Sequence, residues 1–414
     1  MEVLYPRCCG LDVHKSSVTA CALICEQGRA RKERRRFTTM AEDLRRLAEW
    51  LSDLQVTHVA IESTGVYWKP VWNVLEGRFT IILANAQHVK NVPGRKTDTK
   101  DSEWIGELAQ HGLLRSSYVP TVIIRDLRDL TRARTSLSQE ASRIGSRIQK
   151  VLEDANIKLS SVASNTLGKS GRAMLDAIVA GQADPEQLAG LALGHLRAKI
   201  PELQLALAGT VRDHHRFLLR QLMQQLRFVE NEIDVIDQRL EQIGQREPTL
   251  AMTIARWTTV PGVDRVAAWG LAAEIGIDMG QFPTAGHLAS WAGLCPGNCE
   301  SAGKRLSGKT RKGSPWLGRM TCQCAWAAAR TKNTYLSMQF RRLAARRGKK
   351  RAIIAVAHSI LVIVYSLQKN QCDYCDLGSD YFDRLNADGL KRYLVRRLEA
   401  LGHKVTLESH GEAA

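Results

Sequence analysis

From Ser301 to Arg351 the chain has no aspartate and no glutamate, against fifteen lysines and arginines. Solvated charged faces normally mix signs, so this absence argues against an ordinary surface and points to a polyanion-binding segment. That one segment holds most of the net charge of +17. Nucleic acid is the commonest cellular polyanion, although charge alone also fits a ribosome-associated or membrane-surface protein. A long hydrophobic run is missing too. The longest, Ala352 to Leu367, is interrupted by His358 and Ser359 and falls short of the roughly 18–20 residues that a bilayer crossing needs. It reads as a buried helix, and no membrane partner is expected. Met1 to Asp12 lacks the apolar core of an export signal. A cytoplasmic protein with reduced thiols is therefore expected. Its ten cysteines include the pairs Cys295/Cys299, Cys322/Cys324 and Cys372/Cys375. Only the last is a CxxC and the spacings do not repeat, so plain thiols are expected in place of zinc sites.

What is present suffices for two or three domains: 414 residues, 44% hydrophobic and 24% charged. CCGLDVHKSSVTACALI, residues 8–24, holds two β-branched and apolar runs around a polar turn at His14–Ser17, which predicts a hairpin. A very basic third strand, Arg29 to Thr38, should follow. Ala41 to Leu51 has helical periodicity. Thr57 to Ile61 reads as a strand, Val66 to Leu75 as a helix and Phe79 to Ala84 as a strand. The result is an α/β layer in the order of the ribonuclease H fold, although order alone permits others.

Two later segments repeat apolar positions in alternating steps of three and four. One runs Leu127, Leu130, Arg134, Leu137, Ala141, Ile144, Ile148, Val151, with Arg134 its one charged member. The other runs Leu219, Leu222, Leu226, Val229, Ile233, Ile236, Leu240, Ile243. Both predict coiled-coil helices, pairing within the chain or with a second copy. The Ala/Leu-rich link from Ser160 to Thr210 is expected to be helical. From Trp257 onwards a mostly α-helical C-terminal domain is expected. The division expected is 1–120, 121–250, 251–370 and a tail, 371–414.

Four acids stand out. Asp12 lies in the first strand and Glu62 directly after the fourth. Asp98 and Asp101, in KTDTKD, open a helix on which positions i and i+3 share a face. Acids at strand ends plus a helix pair can meet at one sheet edge. Two-metal phosphoryl chemistry needs such a cluster, because only several carboxylates hold two Mg²⁺ ions about 4 Å apart. Any single acid could equally be a helix cap or a surface residue.

Further on, Thr258 to Gly276 contains a Pro-Gly turn between helices, a device that can offer backbone N–H groups to a phosphate. Asp264 stands where a second glycine would be usual; an acid there repels phosphate, or else caps the next helix. Ser301 follows in a Gly-rich, cationic stretch. A hydroxyl flanked by Lys304 and Arg305 could attack a phosphodiester whose developing charge those residues stabilise. Serines in such loops are commonly only turn residues, and both readings stand.

The stretches GLDVHK, IESTGVYW, GRKTDTKDSEWIGEL, VPGV with LAAEIGIDMGQFPTAGHLASWAGLCPGN, and ESAGK with its following SG resemble the DEDD-type insertion-sequence transposases. These are relatives of the Piv DNA invertases and of the bridge-RNA-guided recombinases. The likeness spans about residues 8–115 and 255–370. As a set the motifs are specific; singly, only the KTD-x-x-D and the glycine–serine loop are. The resemblance implies a RuvC-like first domain whose acids are Asp12, Glu62, Asp98 and Asp101, binding Mg²⁺. It implies that Ser301 is a nucleophile forming a covalent phosphoserine link to DNA, working with the acidic site across a dimer or tetramer. Partners implied are donor and target duplex DNA and a bridge RNA made by the element. Lys304, Arg305, Lys309, Arg311, Lys312, Arg346, Arg347, Lys349 and Lys350 are the expected nucleic-acid contacts. Asp264 and the CDYC-containing tail from Gln371 depart from the family pattern. Two alternatives compete: a RuvC-like junction endonuclease using metal-activated water, and a non-catalytic nucleic-acid-binding protein.

Overall fold

The alternating runs RCCGLDV and SVTACALICE build β1 (Arg7–Val13) and β2 (Ser17–Glu26), antiparallel and joined through the polar turn. β3 (Arg29–Thr38) pairs antiparallel with β2. The computed structural model describes residues 2–26, 29–63, 65–84, 101–297, 299–301, 304–310 and 312–407. Helix α1 (Ala41–Asp53) buries Leu44, Leu47, Ala48 and Leu51, spaced at three and four as an amphipathic helix requires. Then come β4 (His58–Glu62), α2 (Trp68–Leu75), β5 (Thr80–Ala84) and α3 (Asp101–Gln110). β4 runs parallel to both β1 and β5, and the sheet order is β3-β2-β1-β4-β5.

Successive strand residues point to opposite faces, and each face has its own cover. Cys9, Leu11, Val59 and Ile61 pack with α1 and α2. Ala60, Ile82 and Ala84 pack with Ile105, Leu108 and Ala109 of α3. α3 lies directly on β1. A Cβ at Gly10 would stand 2.1 Å from the Ser102 carbonyl oxygen and 2.3 Å from the Gly106 nitrogen. Part of the charge on β3 is used here: Lys32 reaches buried Glu103 at 2.6 Å and Glu107 at 2.7 Å, and Arg34 also pairs with Glu103.

The chain divides into two compact units, Met1–Pro120 and Thr121–Ala414. In the second, α4 (Val122–Asp154) and α9 (Asp213–Arg246) are long helices. Contacts of Arg134 with Asp237 and of Asp154 with His215 show that they run antiparallel. The apolar repeats are engaged within this chain: Leu127, Ile144 and Ile148 on α4 and Leu219, Leu226 and Leu240 on α9 are buried. The linking segment is helical: α5 (Leu159–Val162), α6 (Lys169–Val179), α7 (Pro185–Gly190) and α8 (Ile200–Leu207). Met174, Leu175, Leu188 and Leu203 from it close a core with Ile148 and Leu219.

α10 (Pro248–Trp257), α11 (Arg265–Ile275) and α12 (Ala285–Trp291) precede a short hairpin, β6 (Cys299–Ser301) with β7 (Lys304–Ser307). α13 (Pro315–Arg330), α14 (Tyr335–Arg347) and α15 (Lys349–Asn370) follow, then α16 (Tyr381–Arg384) and α17 (Ala387–Ala400) in the tail. α15 is long and apolar enough by composition to cross a membrane. Here it is a core helix: Val356, Ala357, Ile360, Leu361 and Val364 pack with Trp257, Trp269 and Leu317. Ile124, Leu127 and Leu240 belong to the same core, so the long helix pair is rooted in it. Burial pushes the thiols of Cys8 and Cys324 up to about 12, which keeps them protonated.

Candidate active site and nucleic-acid cleft

Strand parity decides where the acids point. Leu11 and Ile61 face α1 and α2, so Asp12 and Glu62, one residue later, face the side that α3 covers. Leu11 and Ile61 are register partners on parallel strands, so Asp12 and Glu62 leave the same edge side by side. The N–H groups of Leu4 and Tyr5 donate to the Gln110 carbonyl at 2.9 and 3.0 Å, which sets the C-terminus of α3 over the start of β1. Its N-terminus, Asp101, therefore lies toward the edge where Asp12 and Glu62 emerge. All three carboxylates are half-buried, and Asp12 Oδ2 lies 3.2 Å from His14 Nε2. Asp98 lies outside the described residues. Among the described residues no three ligating side chains stand close enough to hold an ion. The side chains at this edge are carboxylates, donors of the type that suits a hard cation such as Mg²⁺.

In the second unit, Ser301 is the last residue of β6 and pairs with Lys304, the first of β7. The serine thus ends a strand; the expectation of a loop position does not hold. Arg305 pairs with Glu300 in the hairpin register. The base of the hairpin is closed by Pro296 opposite Thr310 and by the Gly297 N–H donating to the Lys309 carbonyl at 2.9 Å. That base, with α14 and α15, walls a cleft of about 1000 Å³. Of the expected contacts, Lys309, Arg347 and Lys350 line it, and Arg351 joins them. Arg346, Lys349 and Lys312 are exposed outside that lining; Arg311 lies outside the described residues. Three polar residues deeper in the cleft were not anticipated: Gln339, His358 and Ser359. His358 and Ser359 were visible as the break in the apolar run of α15, but periodicity could not tell that the break faces a cleft. Gln339 Nε2 donates to Ser359 Oγ at 2.8 Å. Burial pushes the His358 imidazole below its ordinary range, keeping it neutral.

A buried ion pair holds the chain that leaves the hairpin. Glu274, 3% exposed on α11, accepts from Arg132 of α4 through both oxygens, at 2.8 and 3.0 Å. Ser314, the N-cap of α13, donates to the same carboxylate at 3.3 Å. Arg128 caps the end of α11 by donating to the carbonyls of Ala273 and Glu274. The Pro261–Gly262 turn is packed inward. A Cβ at Gly262, whose φ is +86°, would lie 2.3 Å from the Cys324 carbonyl of α13. Asp264 caps α11, accepting from the Ala267 N–H at 2.7 Å.

Known proteins bear on both units. Residues 9–157 match a family profile described as a DEDD transposase of the IS110 type. Residues 255–340 match the profile of the transposase IS116/IS110/IS902 family. The chain is also similar to the transposase for insertion sequence element IS1111A of Coxiella burnetii (strain RSA 493 / Nine Mile phase I), 23% identical over 297 residues, which cover 70% of this chain and 72% of that protein. The first profile takes in the strands that carry Asp12 and Glu62 and the helix that begins at Asp101; the second takes in the serine hairpin. With two profiles of one family on its two units, the chain belongs to the insertion-sequence transposases of the IS110 type.

Proposed function

We propose that this transposase cuts and rejoins DNA through a covalent link to Ser301. Its first unit is read as ribonuclease H-like (RuvC-like), with Asp12, Glu62, Asp98 and Asp101 as ligands of Mg²⁺. The observation that supports this reading is that Asp12 and Glu62 leave adjacent parallel strands side by side on the face covered by α3, the helix that begins at Asp101. Carboxylates alone repel a phosphodiester; a divalent cation held there supplies the charge that lets one approach. The Ser301 oxygen then bonds to phosphorus while the bond from phosphorus to a deoxyribose oxygen breaks. The serine proton passes to solvent or a nearby base, the released deoxyribose oxygen takes up a proton and leaves as a hydroxyl, and rejoining reverses the exchange with the hydroxyl of another strand. Lys304 and Arg305, next to the serine in the hairpin, are read as stabilising the developing charge. Lys309, Arg311, Lys312, Arg346, Arg347, Lys349 and Lys350 are read as phosphate contacts for donor and target duplexes and for a bridge RNA. A homodimer or tetramer would bring the two sites of different copies together. Because the apolar repeats of α4 and α9 are engaged within the chain, subunit contacts are to be sought elsewhere.

The test is a denaturing gel. The protein is incubated with the DNA ends of its element and the adjoining RNA, quenched, and examined for DNA attached to protein. The wild type should form the adduct. Ser301→Ala should bind DNA and form none, and Asp101→Ala should form none either. An adduct from Ser301→Ala, or none from the wild type, sinks the serine mechanism in favour of metal-activated water.

A further inference from the structure

We propose that the cleft between the hairpin base, α14 and α15 seats an unpaired nucleotide strand, with phosphate on Arg347, Lys350 and Arg351 and a base on Gln339, His358 and Ser359. The inference rests on the chain being a transposase and is independent of Ser301 as nucleophile.

One face of α15 carries three kinds of chemistry in succession. Lys350 and Arg351 come first, Ile354 and Ala355 next, His358 and Ser359 last, and all six line the cleft. Such steps of three and four keep residues on one side of a helix. The charged end and the polar end are roughly 10 Å apart along the axis. A ligand that satisfies the whole face has an anion at one end, a flat apolar body and a hydrogen-bonding edge at the other. A nucleotide has that composition. At about 1000 Å³, the cleft is at the upper end of the roughly 300–1,000 Å³ of sites that enclose small molecules, so it has room for more than a phosphate.

The polar end has hydrogen-bonding capacity left over. Gln339 gives its amide N–H to Ser359, which leaves the Ser359 hydroxyl proton available to a ligand. The Gln339 Oε1 atom is shielded from solvent and has no partner among the described residues. A buried acceptor without a donor costs on the order of 1–3 kcal/mol, a cost that turning the Gln339 side chain into the cleft onto an exocyclic amine of a base would relieve. A neutral His358 offers one donor and one acceptor at the same place. The charged end also waits for an anion. Lys349, Lys350 and Arg351 occupy the first turn of α15 with no acid among them, against the helix dipole. None of the three has an ion-pair partner among the described residues. Bases in a duplex have their edges paired and their faces stacked, so only an unpaired base can reach the floor of the cleft.

The test compares binding of the full-length protein to a single DNA strand, the same strand as RNA, and the corresponding duplex, by fluorescence polarisation. Ala355→Trp fills the cleft and changes no charge. It should weaken unpaired-strand binding about tenfold while duplex affinity stays within about twofold. Gln339→Ala, a truncation with little risk to folding, should weaken the same binding by roughly fivefold. Loss on the DNA strand alone assigns the cleft to a displaced DNA strand; loss on RNA alone assigns it to the guide. If unpaired and duplex binding fall together in both variants, or neither moves, the proposal is wrong. Ser301→Ala should keep full unpaired-strand binding. Failure of the serine mechanism and failure of the cleft therefore read out separately.

Discussion

The acidic edge of the first unit and the basic cleft of the second are built in opposite ways. Asp12, Glu62 and Asp101 are spread over most of the first unit in sequence, and strand register sets Asp12 beside Glu62 on the face that α3 covers. The cations between Lys304 and Arg351 are contiguous in sequence, and the fold sorts them: Arg347, Lys350 and Arg351 line the cleft, while Arg346 and Lys349 do not. Parallel strands in register bring distant residues to one edge, because register is set by backbone hydrogen bonds. A helix spreads consecutive residues around its circumference, so a charge run cannot all face one ligand. Scattered residues can therefore form one site, and a cluster in the sequence can divide into several surfaces.

Where Asp101 stands relative to Asp12 depends on how closely α3 approaches β1. Gly10→Ala puts a methyl 2.1 Å from the Ser102 carbonyl, and a clash with backbone has no side chain to yield. It should lower the stability of the first unit by about 2 kcal/mol and move Asp101 away from Asp12, abolishing strand transfer. Urea unfolding of the variant with the wild-type midpoint would show that α3 is not seated on β1 as described. The sorting of the cations predicts a smaller effect. Charge reversal of Arg347 and Lys350 should weaken binding of an unpaired DNA strand on the order of tenfold and flatten its salt dependence. Reversal of Arg346 and Lys349 should have less effect on that strand. Equal losses from the two pairs, measured across a salt series, would mean that the helix surface acts as one undivided patch. The smallest effect is on pH. Burial holds His358 neutral in the folded protein below its ordinary range, so the unfolded chain binds the extra proton first. Stability is full above the ordinary histidine range and falls as pH drops through it. His358→Gln should flatten the dependence of Tm on pH over that window; a variant with the wild-type slope would exclude His358 as a source.

Much of the fold was legible because local signals agreed with the tertiary outcome. The polar turn at His14–Ser17, the strand at Arg29–Thr38 and the helix from Ala41 fall where periodicity predicts them. Strand and helix ends elsewhere moved by one or two residues, as hydrogen bonding at ends depends on neighbours the sequence does not display. Of the candidate site, Asp12, Glu62 and Asp101 could be nominated from position, but the face that Asp12 and Glu62 share follows only from register. His358, Ser359 and Gln339 were not legible as a group, because Gln339 belongs to another helix. The turn at Pro261–Gly262 misled for a related reason: its glycine is needed for contact with α13, which is far away in sequence.

By itself the sequence determined a segment of one charge sign, the order of elements and the two long helices, since charge, period-two alternation and heptad spacing are properties of local chain. Only the tertiary structure decided that the heptad faces are buried against each other within one chain, and that the break at His358 and Ser359 opens onto a cleft. Those outcomes depend on which surfaces meet. That is settled by packing between residues distant in the chain, which a linear pattern does not encode one position at a time.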